Sequence, residues 1–211
     1  MAPLLPGHGE RYPGMNSCRP EDWLEALRLT FQSLHRDGSP VALVGYCLGG
    51  TLALAGAREL NPRGVVCLSA PIERLNEKFF PETQGERDDL LSTEPFITDC
   101  LSGTARRWRM ASCHQKVTRR FFLSYQDTVT AAAGQLSDIR CPISLVQGGR
   151  SKVVTDSHAD FISRQAGNAT VTVLKSEKAG HAVPIDYGRR QVAERVAEFL
   201  VGIDSSERSR F

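Results

Sequence analysis

Short, nearly unbroken apolar runs recur along the chain at 41–45, 64–69, 143–147 and 170–174. They are rich in Val, Ile and Leu and show little polar alternation. Such runs suit strands covered on both faces, as in a parallel sheet. A shorter run at 2–5 ends at Pro6-Gly7 and predicts one more strand. Helical spacing fills the gaps. Residues 21–35 place Trp23, Leu24, Leu27, Phe31 and Leu34 on one face, with Pro20 at the first turn. Residues 48–60 and 156–164 follow, Asp156 serving as the N-cap of the latter. Residues 191–203 close the pattern with Val192, Val196 and Leu200 in register, and 205–211 read as a frayed tail.

Strands alternating with helices predict an α/β fold with a doubly wound, mostly parallel sheet. The stretch from about 74 to 136 breaks that rhythm. It is long, charged and helical in composition, and it lies between two strands, as a helical lid insertion would. The 211 residues suit a single domain, 1–211, that includes the insertion.

A net charge of +2 gives no pull toward nucleic acid, and no apolar run reaches the roughly 18–20 residues of a membrane span. The first residues lack the charged and apolar regions of a signal peptide. Six cysteines, Cys18, Cys47, Cys67, Cys100, Cys113 and Cys141, form no CxxC pair and no metal-ligand spacing. A reduced cytoplasmic setting is expected, with no cofactor and no metal.

The strongest local signal is Gly45-Tyr46-Cys47-Leu48-Gly49-Gly50, preceded by an apolar strand and followed by a helix. It has the Gly-x-nucleophile-x-Gly form of a nucleophile elbow, with cysteine as the nucleophile. The sharp turn strains the backbone at Cys47, and side chains at Gly45 and Gly49 would collide. The helix N-terminus is expected to lower the thiol pKa, and the Leu48 N–H to bind an oxyanion. His181, on a loop just after the last strand, is the candidate base; a surface loop histidine is the plainer alternative.

These segments together resemble the monoacylglycerol lipase and carboxylesterase branch of the α/β hydrolases. The resemblance rests on Ala2 to Gly9, Pro20-Glu-Asp-Trp23, the elbow, Ser69-Ala-Pro71, Cys141 to Gln147 and Gly180-His181. The Gly-Tyr-Cys-Leu-Gly-Gly string is closer to dienelactone hydrolases and polyhydroxyalkanoate synthases, which use cysteine. The resemblance implies an α/β-hydrolase fold with nucleophile before histidine in chain order. It also implies two departures. Pro6-Gly7-His8-Gly9 corresponds to the later Gly-His-Gly loop of the esterases. The N-terminal strands and the loop that donates the second oxyanion N–H are therefore missing, or another element supplies that donor. A sheet edge left open in this way invites a homodimer. The family's acid belongs on the loop after 143–147, where Ser151 stands instead. Asp156 is near but reads as a cap. Glu73, in Ser69-Ala-Pro-Ile-Glu73, is a further candidate, in the manner of the Dieckmann cyclases of tetramate biosynthesis. A Cys–His pair without an acid is the third alternative.

The segment 105–120 is locally basic. It is a solvated helix face, or a landing site for an acidic partner such as an acyl carrier protein. Trp108, Phe121 and Phe122 line an acyl pocket or pack the lid. Three functions follow as expectations. The first is a hydrolase of a small-molecule ester, thioester or lactone through acyl-Cys47. The second is an acyl-transfer or cyclising enzyme on the same intermediate. The third is a non-catalytic binding module.

Overall fold

A computed structural model describes residues 1–9, 17–82, 90–93, 95–96 and 116–208, with 205–208 as backbone only. Trp108, Cys100, Cys113, His114 and most of the basic segment lie outside the described residues.

Six strands are present among them: β1 (Leu43–Tyr46), β2 (Val65–Leu68), β3 (Leu90–Ser92), β4 (Lys116–Thr118), β5 (Ile143–Gly148) and β6 (Val171–Ser176). The helices are α1 (Pro20–Leu34), α2 (Leu48–Leu60), α3 (Arg119–Gln135), α4 (Asp156–Gln165) and α5 (Arg189–Arg208). The main sheet has the order β1-β2-β5-β6, and every pair in it is parallel. Its central strands β2 and β5 are buried on both faces, whereas the outer strands β1 and β6 leave Val44, Tyr46 and Val173 exposed, so the both-face cover expected for 41–45 and 170–174 is only partial. One face (Leu43, Val65, Cys67, Ile143 and Leu145) packs under α2, α4 and the end of α3. The other (Val66, Leu68 and Val146) packs under Val192, Val196 and Phe199 of α5.

Several expectations shift. No strand forms at 2–5. Leu4 points to solvent while Leu5 joins the Trp23 cluster. The Pro6 carbonyl accepts the Trp23 indole N–H at 3.0 Å, so this segment fastens α1. Thr155, not Asp156, is the N-cap of α4. Helix α5 runs to Arg208, into the stretch expected to be a tail. The insertion is not wholly helical, since β3 and β4 pair antiparallel inside it.

Helix α3 ties that insertion to the body. Its later residue Ala132 lies in the core under the sheet. Its earlier residues Phe122, Tyr125 and Val129 form a second core with Leu75, Phe79, Phe80 and Leu91. β1 lies at the sheet edge, with Val44 and Tyr46 exposed on the face away from α2. No helix among the described residues is long and apolar enough to cross a membrane.

Candidate active site

Cys47 stands between β1 and α2 with φ 52° and ψ −121°, a left-handed conformation that a non-glycine residue rarely adopts. The surroundings impose it. The Cys47 N–H extends the strand ladder to the Leu68 carbonyl at 2.9 Å. One residue on, the helix begins, and the N–H groups of Gly50 and Thr51 close on the Cys47 carbonyl at 2.9 and 3.1 Å. The Thr51 hydroxyl donates to the Pro71 carbonyl at 2.7 Å, fixing the turn from below.

The glycine requirement differs from the expected pair. A Cβ on Gly45 would lie 2.1 Å from the Gly49 carbonyl oxygen, and one on Gly50 would lie 2.7 Å from the Ala70 Cβ. A Cβ on Gly49 would meet nothing within 4 Å. The turn presses the backbone of Gly49 against Gly45, so the second constrained position is Gly50.

The Tyr125 hydroxyl and the Cys47 sulfur share a hydrogen bond at 3.5 Å, and the backbone N–H of Leu48 favours the thiolate. Tyr125 is buried on α3 and had no signal in the sequence beyond its place in the insertion. Burial pushes the Cys47 thiol pKa up, and the hydrogen bonds from Tyr125 and Leu48 pull it back in part. The expected fall in pKa is therefore reversed by desolvation, and the resting form at neutral pH is the thiol.

His181 is fully buried. Its ring lies between those of Tyr46 and Phe96, at centroid distances of 5.5 and 5.4 Å. Neither ring nitrogen has a hydrogen-bond partner among the described residues. Burial, with a smaller contribution from His158, pushes its pKa down to about 3, so the imidazole is neutral. A buried nitrogen without a partner costs about 1–3 kcal/mol. Cys47 follows β1 and His181 follows β6, the outer strands of the sheet, and the two are not hydrogen-bonded to each other, although the Tyr46 ring beside Cys47 touches the imidazole.

The loop that carries His181 is held by Asp186, whose fully buried carboxylate accepts the N–H groups of Gly180 and Tyr187, both at 2.8 Å. The Gly180 carbonyl presses on Gly148, where a Cβ would lie 1.8 Å away. Sequence reading missed Asp186, although a buried acid five positions after the histidine was visible as a pattern. Asp186→Asn is expected to destabilise the fold by about 1–3 kcal/mol, because one backbone N–H would then face an amide N–H₂. Urea unfolding checks this, and an unchanged midpoint would remove Asp186 from the loop's support.

None of the expected acids meets His181. Past Pro71 the chain turns so that the N–H groups of Ile72 and Glu73 donate to His158 Nδ1, at 3.0 and 3.2 Å. Glu73 then accepts from the Ser157 hydroxyl at 2.6 Å. Asp156 binds Lys175 at 2.8 Å and Gln147 at 3.3 Å. Ser151 accepts the Val154 N–H at 3.1 Å and shapes its own turn. No cluster of three or more metal-ligating side chains occurs among the described residues. Cys18, Cys47, Cys67 and Cys141 are free thiols.

A strained cysteine on a strand–helix elbow, in a parallel sheet with a histidine loop after its last strand, defines a hydrolase-type α/β domain. The chain belongs to the Alpha/beta hydrolase family, whose model matches residues 1–195. A carboxylesterase of Bacillus subtilis (strain 168) is 22% identical over 204 residues, 96% of this chain and 81% of that protein. Among solved structures, one from work on LipS and LipT, two metagenome-derived lipolytic enzymes, aligns at TM-score 0.80 and 16% identity, covering 94% of this chain and 80% of that one. The Paleococcus ferrophilus monoacylglycerol lipase aligns at TM-score 0.73 and 18% identity, covering 94% and 81%.

Proposed function

We propose that this protein is a cysteine-dependent acyl hydrolase that takes an ester, thioester or lactone through an acyl-Cys47 intermediate. The observation that carries the reading is the backbone at Cys47. The left-handed backbone, strained and anchored on both sides, presents the cysteine side chain at the tip of the turn. The likeness to a carboxylesterase and to lipolytic enzymes supports acyl chemistry.

In the proposed reaction the Cys47 sulfur attacks the carbonyl carbon and the thiol proton passes to His181. The new C–S bond pushes the carbonyl π pair onto oxygen, where the Leu48 N–H meets it. Collapse of that oxyanion expels the alcohol or thiol, which takes the proton from His181. Water then attacks the thioester with His181 as base, releasing the acid and restoring the thiol. The step requires His181 to leave the space between Tyr46 and Phe96 and reach the sulfur. While buried the ring is a weak base, so the transfer depends on His181 regaining a polar environment, and with it its basicity, as it leaves that space. Cysteine lessens the need for a third, acidic residue because a thiol ionises more easily than a hydroxyl.

A second reading draws on the complete burial of His181. Where water is kept from the base, an acyl-cysteine is captured by a nucleophile within the substrate, giving acyl transfer or ring closure. The insertion, read as a lid over about 74–136, would provide that exclusion.

Intact-mass measurement after exposure to short-chain p-nitrophenyl esters and thioesters tests both readings. Acylation is expected in the parent and absent in Cys47→Ala. An adduct that decays unaided supports hydrolysis, and one that persists supports transfer or cyclisation. A folded parent that takes no acyl group overturns the acyl-enzyme reading.

A further inference from the structure

We infer that the Tyr125 hydroxyl is the second oxyanion donor of this site, working with the Leu48 N–H. The inference rests on the acyl-Cys47 reading and deepens it. A thiol ester needs two hydrogen bonds on its carbonyl oxygen at the tetrahedral stage. The elbow supplies one through Leu48. Among the described residues, Tyr125 is the side chain whose hydroxyl reaches the nucleophile, at 3.5 Å.

The geometry suits a transfer of the hydrogen bond from sulfur to oxygen. At rest, the Tyr125 hydroxyl and the Cys47 sulfur share a hydrogen bond, and the phenol is the donor once the sulfur has lost its proton. As the sulfur bonds to carbon, it gives up its charge to the adjacent carbonyl oxygen, roughly 2.7 Å from it by ordinary bond geometry. A donor already at the sulfur then needs only a small shift to follow the charge. No proton moves in this step. Tyr125 keeps its proton and lengthens its hydrogen bond to sulfur as it forms one to oxygen.

Tyr125 is also held well enough for the task. Its ring is buried in the second core with Phe122, Val129 and Leu75. One residue further along α3, the Gln126 amide bonds both the Leu75 N–H and the Leu75 carbonyl, at 2.9 and 2.8 Å. That bidentate contact fixes the rotation of the helix over the elbow. Tyrosine fits better than serine or threonine here because its hydroxyl spans the distance from α3 to the nucleophile without moving the helix.

The test compares two reactions of Cys47 in the full chain. Acylation by p-nitrophenyl acetate passes through an oxyanion, whereas alkylation by iodoacetamide does not. In Tyr125→Phe, the acylation rate constant is expected to fall about 10²–10³-fold with little change in KM. The alkylation rate, compared at matched thiolate fraction from its pH profile, is expected to change little. Equal slowing of both reactions would make Tyr125 a positioning residue for the sulfur and overturn the inference, as would acylation at the parental rate. If Tyr125→Phe does not fold, 3-fluorotyrosine at position 125 keeps the shape and makes the phenol a stronger donor. Acylation faster than the parental rate then supports the inference, and an unchanged or slower one overturns it. A parent that alkylates but never acylates fails at the acyl-enzyme reading itself and takes this inference with it.

Discussion

Gly45→Ala is expected to break the elbow, at a cost of at least about 3 kcal/mol, the upper range for overpacking a tight site. The added Cβ would lie 2.1 and 2.2 Å from the carbonyl oxygen and carbon of Gly49 and 2.4 Å from the Gly50 nitrogen. All three are backbone atoms in the first turn of α2, so no side chain can swing aside. Relief requires β1 and α2 to separate, and that would also pull Cys47 off the Leu68 carbonyl. Gly49→Ala is the control. Its Cβ meets nothing within 4 Å and the position is helical, so the change is expected to be neutral or to stabilise by about 0.5–1 kcal/mol. Urea unfolding of both variants, with thiol reactivity of Cys47 beside it, decides the matter. Equal losses at the two glycines would show that the symmetric motif, and not this packing, governs the turn.

Acid is expected to weaken the fold through His181. An ordinary histidine titrates near 6.5, and burial holds the folded ring at about 3. Between those values the unfolded chain binds a proton that the folded chain refuses. Stability from this group is therefore complete above pH 6.5 and falls as the pH drops toward 3, by up to about 1.4 kcal/mol per pH unit. His158 adds in the same direction, because burial lowers its pKa also, against an opposing pull from Glu73. His181→Phe keeps an aromatic ring between Tyr46 and Phe96 and removes the titrating nitrogens. It should flatten the stability profile between pH 6.5 and 4, leaving the smaller slope that His158 contributes. Chemical denaturation at a series of pH values reads this directly. A parental slope retained in His181→Phe would place the acid sensitivity elsewhere.

The main sheet was readable because its two central strands carry their burial in their composition: Val65, Val66, Ile143 and Val146 are apolar on both faces and nearly inaccessible to water, while β1 and β6 kept apolar residues such as Val44 and Val173 that stay exposed. The strand–turn–helix geometry of the elbow was readable for a local reason, since strand, glycine, cysteine and helix all fall within a few residues. What was not readable depends on contacts across the chain. Tyr125 meets Cys47 only because α3 packs on α2, and no short-range pattern records that crossing. Glu73 was placed near the right strand end, but two backbone N–H groups on His158 turn the chain so that its carboxylate faces Ser157. The thiol pKa followed desolvation, which depends on neighbours that a helix-terminus argument does not count. The strand expected at 2–5 had the right composition but no pairing partner, and it serves instead to receive Trp23.

Helix α3 belongs to two cores at once, with Ala132 under the sheet and Tyr125 beside Cys47. Catalytic speed and resilience are therefore mechanically joined along one rod. A repacking under the sheet that tilts α3 also moves the hydroxyl beside Cys47. Improving one property of this protein while holding the other still would call for paired substitutions at the two ends of that helix.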